Sequence, residues 1–393
     1  MDQTIIDNVT LVPGNGAEPL RGATVVLDAD GVVSEIAAGK AAGSPDAERF
    51  LVPAGVDLHL DNLTERRRPR ATVRLDQAAV LSVLDAECAA AGIGTVCIAA
   101  RCEDAPGKGV MVEDAVELAA VVEALAPSLS CDWRIHARVE VTDDAAIDSL
   151  RAILQVSSRV AVVSVMEHSI ERSRFASAAE HRAFYAADWG LPLEEVDRIL
   201  AEKADGGEDR EARRQEVAAL SRAAGIVLAS HDDRSPEDVE AAYALGARIA
   251  EFPLTMAAAL RARELGMATV LGSPNAVRGK STSPGNLLVA EAVANGACEV
   301  LCSDYLPLAL QSAPHALVQA GAASLAAAVD LVSTAPAAAI GLPSPAIEIG
   351  KPLTAALGIV AGTTFMGSAL WRDGRQTFAR TPATARLLTP SGA

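Results

Sequence analysis

Aromatic residues are almost missing from this chain: Phe, Trp and Tyr make up 3% of its 393 residues, although half the residues are hydrophobic. A core must therefore be built from Ala, Val, Leu and Ile, a balance that suits helices packed closely against parallel strands. Positive charge is short as well. A formal charge of −17 at pH 7 argues against a nucleic-acid partner, because binding a phosphate backbone needs a basic surface. A small anionic substrate is still compatible, provided that cations are gathered locally.

Other absences narrow the class further. Met1-Asp2-Gln3-Thr4 has no basic segment leading into an apolar one, so no signal peptide is expected. No run of about 18 apolar residues occurs, so no membrane span is expected. The six cysteines (Cys88, Cys97, Cys102, Cys131, Cys298, Cys302) include no C-x-x-C pair and read as reduced, buried thiols of a cytoplasmic protein. A homo-oligomer is left open.

What is present is an alternation. Residues 1–50 read as short antiparallel strands with turns at Pro13-Gly14-Asn15-Gly16 and Asp28-Ala29-Asp30-Gly31, and 345–393 repeat that style. Between them, apolar strand-like runs near 51–58, 94–100, 134–141, 160–167, 226–230, 247–252, 268–272 and 299–303 alternate with amphipathic helical stretches. Eight such repeats predict an α/β fold, a (β/α)₈ TIM-like barrel over 51–344, with a small accessory β-domain from the two ends. The charged stretch 194–216 reads as a solvated helical insertion.

Four of the predicted strands end in metal-compatible side chains: His59 with Asp61, His168, His231, and Asp304. Residues two apart on a strand face the same way, so His59 and Asp61 can converge. Side chains at the C-terminal ends of barrel strands face the catalytic end of this architecture. Three imidazoles and two carboxylates suit two divalent ions, zinc first, with manganese or iron as alternatives. Two ions need a bridging anion. None of the five lysines sits on a strand end, so Glu140 is the bridging candidate by elimination, against a plain ion pair with Arg138. Asp304 is the candidate proton acceptor as well as a ligand, against a helix cap. Asp232 and Asp233 are read as acceptors that orient the histidines, or as caps of the following helix. Arg278, Asn275, Arg174 and Arg68 are the candidate substrate contacts. His136, His181 and His315 read as structural.

The motifs Val56-Asp57-Leu58-His59-Leu60-Asp61-Asn62-Leu63, Val165-Met166-Glu167-His168, Ala229-Ser230-His231-Asp232-Asp233, Arg248-Ile249-Ala250-Glu251-Phe252-Pro253, Gly272-Ser273-Pro274-Asn275-Ala276-Val277-Arg278-Gly279 and Ser303-Asp304-Tyr305 give the chain a family likeness. It resembles the amidohydrolase superfamily and, within it, the phosphonate-metabolism (PhnM) family. H-x-D-N stands where the superfamily usually has H-x-H. The resemblance implies a metal-dependent diphosphatase that hydrolyses a ribose methylphosphonate triphosphate to the monophosphate and pyrophosphate. Two readings rival it: a cyclic-amide hydrolase with the same metals, and a metal-free scaffold derived from such enzymes.

Overall fold

A computed structural model describes residues 3–39, 48–70, 72–104, 110–169, 175, 177–204, 207–281 and 285–380. Eight parallel strands follow one another around a nearly closed barrel: β5 (Gly55–Leu60), β6 (Ile93–Cys102), β7 (Asp132–Glu140), β8 (Val160–Met166), β9 (Val227–His231), β10 (Ile249–Glu251), β11 (Ala268–Gly272) and β12 (Val300–Cys302). A seven-stranded mixed sheet joins β1 (Thr4–Leu11), β2 (Leu20–Leu27), β3 (Val33–Ala37) and β4 (Arg49–Pro53) to β13 (Ala355–Ala361), β14 (Thr364–Arg372) and β15 (Arg375–Ala379). The TIM-like barrel and the smaller sheet from both chain ends are thus as the sequence predicts.

The apolar run 51–58, read as one strand, is divided between the two sheets. Its first part belongs to β4, which pairs with β1 and β13, and its second part opens the barrel as β5. Pro53 has no N–H with which to continue a ladder, and Ala54 donates instead to Thr354 O at 3.1 Å. Every residue of β5 is buried, as expected for a parallel strand covered on both faces.

The core has two layers around the barrel wall. Outside it, aliphatic residues such as Leu81, Leu84, Ile98, Leu118 and Leu150 pack under the helices, each contributing about 1.5–3 kcal/mol on burial. Inside it, Val56, Leu58, Val162, Ile249, Val270 and Val300 fill the floor. The wall closes between β5 and β12 through one bridge, Leu60 to Asp304. Asp304 N donates to His59 O at 2.9 Å and Asp61 N to Asp304 O at 2.6 Å. Lower down the seam, Val56 N and Leu301 N donate to Val332 O and Leu331 O.

The charged stretch after residue 193 is less solvated than its composition suggests. The helix Gly207–Ala223 turns Arg210 and Arg214 onto the buried Glu167 carboxylate at the end of β8. Arg213 reaches Val141 O at 2.8 Å. Cations that look like a solvent face instead tie this helix to the rim of the barrel.

Candidate metal centre

Glu251, at the end of the three-residue strand β10, organises the centre. Its buried carboxylate accepts from His59 Nδ1 at 2.8 Å through one oxygen and from His231 Nδ1 at 2.9 Å through the other. Burial alone would raise its pKa, but the nearby His59 and His136 and these hydrogen bonds hold it well below the ordinary carboxylate range. An ionised carboxylate can only accept, so both histidines carry a proton on Nδ1 and turn Nε2 toward the mouth. The two rings lie nearly parallel, 15° apart, with centroids separated by 6.3 Å. For His59, burial lowers the pKa and Glu251 more than offsets it, leaving the imidazole raised.

The orienting role expected of Asp232 and Asp233 therefore falls to Glu251. Asp233 accepts from the Ser230 hydroxyl at 2.5 Å. Asp232 Oδ2 lies 3.9 Å from His231 Nε2, on the mouth side of that ring. The following helix, Pro236–Leu245, is capped by Ser235 with Asp238.

Glu140 stands behind His168. It is fully buried and accepts from His168 Nδ1 at 2.6 Å, from the His168 backbone N–H, and from Thr142 Oγ1 at 2.7 Å. Held this way, Glu140 fixes the His168 tautomer and leaves that Nε2 outward too, and with Glu103 and His168 it forms a further trio compact enough to hold an ion. One donor atom from each of His168, His231 and Asp232 lies within 4.8 Å of the other two. Two outward imidazole nitrogens, each backed by a buried carboxylate, plus a third carboxylate form a donor set suited to a divalent ion.

Another compact trio, His59, His136 and Glu251, does not fit a metal. His136 Nδ1 donates to Leu58 O at 2.9 Å, and its Nε2 lies 3.0 Å from Ser164 Oγ. Burial pushes the His136 pKa down to about 4, so the ring is neutral with both nitrogens engaged, structural as the sequence reading has it.

Asp61 is taken up by arginines. Arg101 and Arg138, from β6 and β7, both donate to its carboxylate, and Arg138 NH2 reaches His231 Nε2 at 3.4 Å. Burial would raise the Asp61 pKa, yet the two guanidinium groups hold it far below the usual range. Asp304 sits half-buried at the barrel seam, its backbone in the left-handed region (φ 55°), as are Asp232 (φ 56°) and Phe252 (φ 53°) at two other strand ends.

The expected substrate contacts separate. Arg278 is exposed and its guanidinium lies 3.4 Å from the Tyr305 hydroxyl, next to Asp304 in sequence. Arg68 lines a small pocket shared with Arg67, Arg74 and Arg101. Asn275 gives its amide to the loop: Nδ2 donates to Leu287 O and Oδ1 accepts from Val289 N. Arg174, with Arg172, lies outside the described residues.

Known proteins place the chain in a family. The chain is 31% identical, over 95% of its own length and 100% of the relative's, to the alpha-D-ribose 1-methylphosphonate 5-triphosphate diphosphatase of Escherichia coli K12. The chain belongs to the PhnM family. It is thereby a hydrolase of the amidohydrolase superfamily. No family model matches it. Among solved structures, an N-acetyl-D-glucosamine-6-phosphate deacetylase mutant from Mycobacterium smegmatis, in complex with N-acetyl-D-glucosamine-6-phosphate, shares the fold at TM-score 0.61 and 14% identity, over 96% of this chain and 100% of that one. A 5-methylcytosine deaminase from Klebsiella pneumoniae liganded with phosphonocytosine does so at TM-score 0.60 and 14% identity, over 96% and 99%.

Two site residues escaped the sequence reading. Glu251 is marked in the sequence only as an acid ending the short apolar run Ile249-Ala250. Arg101 ends Ile98-Ala99-Ala100 in the same way.

Proposed function

We propose that this chain is a metal-dependent diphosphatase of phosphonate catabolism. Its substrate would be ribose 1-methylphosphonate 5-triphosphate, and its products the monophosphate and pyrophosphate. The observation that carries this reading is the meeting of a divalent-ion donor set, His168, His231 and Asp232, with arginines at the mouth of a barrel whose chain bears a net charge of −17. A site for a cyclic amide would have no need of that local cation density. The imidazole-rich donors favour zinc, with manganese and iron as alternatives. Whether the centre holds one ion or the expected pair turns on Asp61.

A divalent ion held there would make a bound water a nucleophile near neutral pH and offset phosphoryl charge. The chain's own groups do the rest. Asp304 accepts the proton of the attacking water. The water oxygen joins one of the two phosphorus atoms flanking the α–β bridging oxygen as the bond from that phosphorus to the bridge breaks, and the bridging oxygen leaves on the other, giving the monophosphate and pyrophosphate. Arg278 offers a planar fork to phosphoryl oxygens, and Glu140 and Glu251 hold the histidines in one tautomer. A cytoplasmic setting fits the six free, buried thiols.

The test is a coupled pyrophosphate assay on metal-supplemented protein, run beside panels of cyclic amides and lactones. Pyrophosphate release with silent panels is expected. Turnover of a cyclic amide without pyrophosphate release from the triphosphate would overturn the reading.

A further inference from the structure

Arg101 and Arg138 are direct partners in the register of β6 and β7. Two like charges placed opposite each other weaken a sheet. What relieves this pair is Asp61, at the end of the preceding strand. Arg101 Nε donates to Asp61 Oδ1 at 3.0 Å, and Arg101 NH2 donates to Oδ2 at 2.8 Å. Arg138 NH1 donates to the same Oδ2. All three side chains are nearly buried, with 10% exposure for Asp61, 14% for Arg101 and 9% for Arg138.

The triplet carries a net positive charge before any ion arrives. Arginine cannot shed its proton to make room for a cation. A dication bound through Asp61 would have to expel Arg138 or stand against two guanidinium groups where water screens poorly. The place beside His168 sets three carboxylates against that charge, since Glu140 and Glu251 lie behind its imidazoles and Asp232 beside them. Arg138 also reaches across to that place, with NH2 at 3.4 Å from His231 Nε2. Its buried Nε has no hydrogen-bond partner among the described residues, which leaves a donor for an anion.

We infer that Asp61 belongs to the arginines and not to a metal: the centre takes one divalent ion, at His168, His231 and Asp232, and the Arg138 guanidinium supplies the fixed positive charge where a second ion would stand. His59, held by Glu251, is then not a ligand. The inference rests on reading the site as a metal centre. It replaces a mobile charge with one that is built in, and that offers planar N–H donors to phosphoryl oxygen.

Metal content decides it. Protein loaded with excess zinc, desalted and analysed by mass spectrometry should hold one ion per chain. The count should remain one in Asp61→Asn and in Arg138→Lys, which keeps the charge, and fall toward zero in His231→Ala. Arg138→Gln, which removes the cation, should rise above one. Circular dichroism checks each fold, and if Arg138→Gln does not fold, the wild-type and Asp61→Asn counts still decide. Two ions in the wild type, a magnetically coupled pair in the electron paramagnetic resonance spectrum of the manganese-loaded protein, or loss of the ion in Asp61→Asn would each overturn the inference. An Arg138→Gln count that stays at one would overturn the part assigned to Arg138. A wild type that binds no ion at all removes the metal reading beneath it, a failure distinct from finding two.

Discussion

Asp57 and Ser303, 246 residues apart in the chain, clasp the first and last barrel strands: Ser303 N donates to Asp57 Oδ1 at 2.9 Å and Ser303 Oγ to Oδ2 at 2.5 Å. The clasp lies beside the Leu60–Asp304 bridge, so the side chains and the main chain of the seam reinforce each other. Burial raises the Asp57 pKa from its ordinary value, against the opposing pull of the Ser303 hydrogen bonds.

A pH signature follows. A carboxyl group with a raised folded pKa is protonated more readily in the folded state than in the unfolded one. Its favourable contribution is complete below the unfolded pKa, about 4, and is lost as pH rises through the folded value. Asp57→Asn keeps the shape and two hydrogen bonds but cannot ionise. Its melting temperature should therefore gain on the wild type from about pH 4 upward, until the difference levels off above the folded pKa. Calorimetric scans between pH 4 and pH 8 that run parallel for the two proteins would refute this.

Asp304→Asn preserves the backbone bridge, because both seam hydrogen bonds use main-chain atoms. The fold should survive while kcat falls by roughly 10² or more, the usual scale for losing a general base. Turnover within a few-fold of the parent at saturating substrate would show that the proton goes elsewhere.

Glu251→Gln should weaken metal binding by about 10- to 100-fold, the common cost of removing a carboxylate behind a ligating histidine. The amide presents an NH₂ group to one of the two histidines. That ring must then offer a bare Nδ1 and carry its proton on Nε2, where an ion would bind. Chelator competition measures the affinity, and an unchanged dissociation constant would mean that His231 is oriented without Glu251.

Arg278→Lys keeps the charge and loses the planar fork. Loss of one charge-assisted bidentate contact, about 1.5–3 kcal/mol, should lower kcat/KM for a triphosphate about ten- to a hundred-fold, chiefly through KM, with metal content unchanged. Steady-state kinetics that leave kcat/KM where it was would place Arg278 outside the substrate site.

The fold was legible because a barrel repeats one local pattern eight times. Short apolar runs such as Leu228–Ser230 and Val300–Cys302 betray themselves without knowledge of their neighbours. Their polar last residues were equally visible, and His59, His168, His231 and Asp304 do gather at one end. Roles were harder to read, because they depend on pairings across the barrel. Glu251 meets His59 across 192 residues of sequence, and nothing local marks a three-residue strand as the pivot of the site. Asp61 looked like a ligand because H-x-D is a ligand pattern. Only the register of β6 and β7 reveals the two arginines that claim it. Arg210 and Arg214 misled in the opposite sense, since a helix of alternating charge reads as solvent-facing until the buried Glu167 appears beneath it.

The Leu60–Asp304 seam ties the order of folding to the onset of chemistry. Strands β5 through β11 pair with their neighbours across crossovers that each span only part of the barrel, but closing β12 onto β5 spans nearly the whole of it and carries the largest loop-closure entropy. Asp304 reaches its place only in that last step. A half-folded chain that gathers His168 and His231 without Asp304 would lack the proposed proton acceptor, so the proposed hydrolysis needs the sealed barrel.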